Sequence, residues 1–228
     1  MKKSVLLAAA LCACLAGTAQ AAAELYTIEP GHTYPSFEVP HMGISYWRGK
    51  FTKTNGKIWI DREKQTGRVD ITIDTSSVDF GFGPMDQRAR GEDWFNVEKY
   101  PTATYVSDSI TFRDGVPSAV SGQLTLRGVT RPLRLDILEF RCATHPFFKR
   151  EICGADARAE FDRRDFGMTH DVVNGNGTVR LQIQVEALKG DAIPPPPPGF
   201  GMPPGAGMPP GAPPGAPPGL PPGGTPPK

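Results

Sequence analysis

The 228-residue sequence is poor in the residues on which most enzymes depend. Its four histidines, His32, His41, His145 and His170, show no metal-ligand spacing, so a metal centre would need ligands gathered from distant segments. Each reads instead as a polar residue at the rim of a pocket. There is no nucleophile elbow, no His-Glu-x-x-His, no Cys-x-x-Cys and no P-loop. Asp165-Phe166-Gly167 spells a kinase triplet, but the glycine-rich loop, its lysine and the catalytic loop are missing. A hydrolase lacks its nucleophile and base. The sequence therefore predicts no enzyme and no metal or cofactor.

Positive charge is also scarce. Three of the 25 basic residues (Lys2, Lys3 and Lys228) lie at the ends, which leaves 22 against 24 acidic residues between them. A span with a net charge of about −2 offers no footprint for nucleic acid. Long apolar runs are missing too. Val5 to Ala16 is too short and wrongly flanked to cross a membrane. After Lys2 and Lys3, and before Ala19-Gln20-Ala21, it reads as a secretory signal peptide over residues 1–21, cleaved after Ala21. Leu11-Cys12-Ala13-Cys14 makes a poor lipobox, because the second cysteine fits badly.

Residues 194–228 are nearly all Pro, Gly, Ala or Met, and the glycines recur mostly every fourth residue. Collagen needs every third, so a triple helix is excluded. Such a tail is expected to stay disordered and extended. It is a solvated spacer, an envelope anchor, or the ligand of an envelope protein partner that recognises proline. The span between, residues 22–193, suits one domain with its own core. Only two cysteines remain there, Cys142 and Cys153, and in an exported chain they pair most simply as a disulfide. A metal would want more ligands, and only His145 lies between them.

What the domain has in quantity is alternation. Val179, Leu181, Ile183 and Val185 alternate with Arg180, Gln182, Gln184 and Glu186 in a long final strand. Period two gives one dry face and one wet face. The pattern recurs at Val69, Ile71 and Ile73, at Leu133 to Ile137, and with small residues at Ala155, Ala157 and Ala159. Asn174-Gly175-Asn176-Gly177 predicts a hairpin turn before the last strand, and Asn55-Gly56 another between the strands at Phe51 and Ile58. The segment from Pro84 to Pro101 lacks alternation and reads as a short helix with a loop. Seven or eight antiparallel strands with one helical insertion result. Long alternating strands without partner helices hide one face by closing into a barrel. Three alanines on one inner face leave room for a ligand inside it.

Six segments occur in an order that resembles a known family: "YTIEPGHTYPSFEVPHMGISYWRGKF", "GRVDITIDTSSVDF", "DWFNVEKYPTATYVS", "GQLTLRGVTRPLRL", "ATHPFFKREICGADARAEFDRRDFGM" and the closing strand. Together they look like the YceI-like polyisoprenoid-binding family of exported bacterial proteins. The resemblance spans Glu24 to Leu188. It implies an all-β, lipocalin-like antiparallel barrel in the periplasm, binding an amphipathic isoprenoid lipid or a quinone without catalysis. The Pro-rich tail departs from the family pattern and keeps a second reading open, an envelope scaffold acting through the tail. Oligomeric state is undecided, a homodimer being one option.

The candidates for the wall of the tube are Phe37, Phe51, Trp94, Phe95, Phe166 and Met168. An anionic head would need donors at the mouth, and guanidinium suits phosphate bidentately. Arg127 and Arg131, flanking an expected Gly128-Val129-Thr130 turn, are placed for that role, with His41 as a further donor.

Overall fold

A computed structural model describes residues 23–172 and 177–195. The expected signal peptide, most of the Asn174-Gly175-Asn176-Gly177 turn and nearly all of the tail lie outside the described residues. The rest forms one antiparallel sheet of eleven segments. In chain order they are β1 (Glu24–Ile28), β2 (Tyr34–His41), β3 (Ser45–Phe51), β4 (Thr54–Asp61), β5 (Thr66–Asp74), β6 (Val78–Asp79), β7 (Thr102–Arg113), β8 (Val116–Leu126), β9 (Val129–Thr144), β10 (Glu151–Asp162) and β11 (Thr178–Lys189).

Three pairs of segments are the halves of broken strands. β1 pairs with residues 187–189 of β11, and β2 with residues 180–184 of the same strand. β3 returns along β2, and β4 returns along β1. β6 carries β5 onward past the 3₁₀ turn Thr75–Ser77 to reach β3. Counted this way, eight strands close on themselves through the β1–β11 pairing. Closure gives every strand a neighbour on both sides over part of its length, although the first residues of β9 pair with β8 alone. The expected all-β barrel is the fold.

Alternation places the core. On β11 Val179 is buried, while Arg180, Gln182 and Gln184 are exposed. The helical insertion appears as α1 (Gly83–Arg90), with Pro84 in its first turn, where its missing N–H is one of the unpaired donors in any case. Asp86 stands in the first turn and Arg88 and Arg90 in the last, each sign suiting the helix dipole.

Two turns differ from expectation. Asn55-Gly56 lies inside β4 rather than at a hairpin, and β3 and β4 pair with different neighbours. Glycine is needed there because a Cβ would collide with the Asp70 carbonyl oxygen on β5. The corner between β8 and β9 is Arg127-Gly128, both at positive φ (50° and 71°), so Val129 and Thr130 already belong to β9. Two left-handed residues make the tight hairpin turn that matches strand twist. Pro132 faces Gln123 on β8, and β9 meets β10 only from Asp136 onward. Pro132 thus sits where β9 has one strand neighbour and a missing donor is tolerated.

Strand directions sort the connections into two ends. One, the helical end, carries the β2–β3 hairpin, α1 with residues 91–101, the Arg127-Gly128 turn and the segment from β10 to β11. The opposite end carries the β4–β5, β7–β8 and β9–β10 turns. Cys142 and Cys153 stand opposite each other on β9 and β10 near that second end, joined as a disulfide.

Candidate functional site

The inward faces of the strands line a long cavity with about 210 Å³ of room for the centre of a water-sized sphere. That far exceeds what one buried water needs. Its wall is almost wholly carbon: Ile28, Ile60, Val69, Leu124, Leu133 and Val179 are among the lining residues. Ala155 and Ala157 line it as well, opposite Val185 and Ile183 on β11. Small side chains on β10 leave the space that leucines would fill.

Of the residues singled out in the sequence, Phe37, Phe51, Trp94, Phe95 and Met168 line this cavity. Phe37, Phe51 and Phe95 form a ring cluster, with centroids 5.1–6.0 Å apart. Phe166 is buried but lies behind the wall, edge-on to Phe161 at 5.1 Å. His41 and Arg127 are not lining residues. His41 packs edge-on against Trp47 near the β2–β3 hairpin tip. Arg127 donates to the Trp94 carbonyl oxygen and lies over the Tyr100 ring. It therefore holds the segment after α1 rather than facing the cavity.

The cavity does contain one charged side chain, and sequence reasoning missed it. Arg163, just past the end of β10, is 3% exposed and lines the cavity at the helical end. Its Nη1 donates to the Met168 carbonyl oxygen (3.2 Å) and its Nη2 to that of His170 (2.7 Å). The guanidinium carbon stacks 4.9 Å from the Trp94 ring centre. Among the described residues no carboxylate comes within ion-pair distance of it. Burial holds Arg163 below the usual arginine range, against the pull of Asp171 and Asp162. A signal for it existed: Ala155, Ala157, Ala159, Phe161 and Arg163 are successive positions on one face.

Two polar atoms of the lining residues are buried without a hydrogen-bond partner, Trp94 Nε1 and Thr54 Oγ1. Tyr105 contrasts with them. Its hydroxyl reaches the carbonyl oxygens of Leu133 (3.0 Å) and Val120 (3.1 Å), so its proton is used, and burial pushes its pKa well above the ordinary value.

At the disulfide end a polar network spans the strand ends. Tyr26 donates toward Glu151 and Glu24, and Arg62 donates to Tyr26 (2.9 Å) and Glu151 (3.1 Å). Lys189 pairs with Glu24. Arg62 Nη2 also lies 3.2 Å and 3.3 Å from the two disulfide sulfurs. The Lys189 ammonium lowers the Glu24 pKa. Burial alone would raise that of Glu151, but hydrogen bonds from Tyr26 and Arg62 outweigh it. This end carries charges that pair with one another, whereas at the helical end Arg163 has, among the described residues, carbonyl partners and no carboxylate within ion-pair distance.

The family model for a YceI-like domain matches residues 26–187. A YceI protein of Salmonella arizonae is 32% identical over 192 residues, 83% of this chain and 99% of that protein. Among solved structures, BcnA of Burkholderia cenocepacia superposes with a TM-score of 0.58 at 22% identity, covering 70% of this chain and 98% of that one. A protein of Saccharophagus degradans, described as a polyisoprenoid-binding domain implicated in plant cell wall breakdown, superposes with a TM-score of 0.54. It is 16% identical, covering 72% of this chain and 98% of that one.

Proposed function

The chain belongs to the YceI-like family, and from that premise we propose that it is a periplasmic binding or carrier protein holding an isoprenoid lipid or quinone inside its barrel. The observation that carries this reading is the long, carbon-lined cavity. Burying a chain there gains about 0.8 kcal/mol per CH₂, before ordering costs. A few prenyl units outweigh those costs. The Saccharophagus neighbour, described as polyisoprenoid-binding, supports the ligand class. The role is holding rather than turnover. None of the four histidines lines the cavity, and its one buried charge is tied to main-chain carbonyls. Export fits the Cys142–Cys153 disulfide, which persists in an oxidising compartment.

Mass spectrometry of organic extracts from the purified full chain tests the reading. A prenyl lipid or quinone should co-purify, and stripped protein should take up a prenol such as farnesol. Folded protein that yields no lipid and takes up none would overturn it.

A further inference from the structure

The carbon wall explains how a chain is held but not which end of the ligand goes where. Arg163 and Trp94 break the symmetry between the two ends. Both line the cavity at the helical end, and the guanidinium stacks on the indole. Two of the five N–H donors of Arg163 serve the carbonyls of Met168 and His170, which leaves donors over. The indole Nε1–H beside it is buried with no acceptor at all. A buried donor without a partner is costly, and so is a buried cation that no carboxylate approaches within ion-pair distance.

We propose that Arg163 and Trp94 form the head-group subsite of the cavity and that the head they take is anionic and oxygen-rich, a phosphate monoester on a prenyl chain. This rests on the lipid-binding reading above and narrows it. A phosphate supplies several acceptor oxygens, enough for Trp94 Nε1 and the spare guanidinium donors together. It also brings an anion into direct contact with Arg163, which Asp171 and Asp162 reach only from beyond ion-pair distance. A quinone carbonyl would satisfy one donor and bring no anion. The prenyl chain then runs along the barrel, past Phe37 and Ala157, toward the disulfide end. There Glu24, Glu151, Arg62 and Lys189 satisfy one another and offer a second anion no vacant cation.

Calorimetric titration of lipid-stripped full chain with farnesyl phosphate, farnesol, a short-chain ubiquinone and inorganic phosphate tests this. Farnesyl phosphate should bind tightest, and inorganic phosphate at the same concentrations should give no heat. Trp94→Phe keeps the ring under the guanidinium and removes only the N–H. It should weaken farnesyl phosphate about tenfold, the scale of one hydrogen bond to a charged acceptor, and leave farnesol within about twofold. Arg163→Gln should abolish the preference for phosphate over prenol. If that variant does not fold, Trp94→Phe alone decides. Equal affinity of the unaltered protein for the phosphate and the prenol would overturn the inference while sparing the lipid reading. So would tighter binding of the quinone, equal loss of both prenyl ligands on Trp94→Phe, or binding of inorganic phosphate as strong as that of the ester. Failure of every prenyl ligand to bind would instead remove the lipid reading itself, and this inference with it.

Discussion

The Arg127 guanidinium donates to the main-chain carbonyl of Trp94, tying the β8–β9 corner to the segment that follows α1. A corner that looks solvent-facing in the sequence thus clamps a residue of the cavity wall. Arg127→Ala should cost about 1 kcal/mol, as expected for a half-exposed hydrogen bond from a charged donor. Urea unfolding would show it as a lower midpoint with an unchanged slope. The loss should weaken farnesol and farnesyl phosphate alike, because the clamp positions Trp94 without touching the ligand. A selective loss of the phosphate ester would put Arg127 itself at the head group.

The network at the disulfide end predicts how stability follows pH. Glu24 and Glu151 both titrate below the ordinary glutamate value of 4.5. Their stabilisation is complete above that value and is lost as pH falls through the lowered folded values. Tyr26 titrates far above the ordinary 10.0, first because it is buried and then because it donates to Glu151 and Glu24. Its share is complete below pH 10 and is lost as pH rises further. Thermal melts across pH should therefore give a plateau with an acid limb and an alkaline limb. Tyr26→Phe should flatten the alkaline limb in part, since buried Tyr105 shifts the same way. An unchanged alkaline limb in that variant would show that Tyr26 is not the group responsible.

Filling the space on β10 tests where the ligand lies. Ala157 is 6% exposed, faces Ile183 and Ile137 across its two ladders, and lines the cavity. Ala157→Phe should keep the strand spectrum and lower farnesol uptake about tenfold, a change of about 1.4 kcal/mol. Uptake at the original affinity in folded Ala157→Phe would place the ligand elsewhere than along this face.

The barrel was legible because period-two alternation acts within each strand. Val179 to Val185 alone announces a strand with one dry face, and Ala155 with Ala157 announces the room beside it. The broken strands were not legible, because what makes β1 and β2 one strand is their joint pairing along β11, a contact about 150 residues away in sequence. Asn55-Gly56 misled for a related reason. Glycine there answers a close approach of Asp70 on the neighbouring strand, and only the fold supplies that neighbour. Arg127 stands out in the sequence as a donor on a hairpin corner, whereas Arg163 follows the end of an alternating strand. Counting in twos past Phe161 would have reached Arg163 instead. The unpartnered Trp94 Nε1 had no sequence signal, since a missing partner is a property of packing alone.

Thr54 carries the last prediction. It is 1% exposed and lines the cavity near the break between β3 and β4, and its Oγ1 has no hydrogen-bond partner. A hydroxyl buried in that state has given up water for nothing, a penalty of about 1–3 kcal/mol. Valine keeps the shape and the branching that suits a strand, and replaces the hydroxyl with a methyl group. Thr54→Val should therefore raise stability by about 1 kcal/mol in urea unfolding of lipid-stripped protein, and leave farnesol affinity unchanged or higher. Thr54→Ser is the matched control. It keeps the hydroxyl and loses a methyl group from the wall, so it should lower stability by about 1 kcal/mol. The pair separates the two atoms of one side chain. If Thr54→Val destabilises the stripped protein instead, the hydroxyl has a partner inside the cavity, and the wall at this point is wetter than its carbon neighbours imply. If Thr54→Val is neutral in stripped protein but weakens binding of farnesyl phosphate alone, the phosphate reaches β4, and the head-group subsite extends from Trp94 to Thr54.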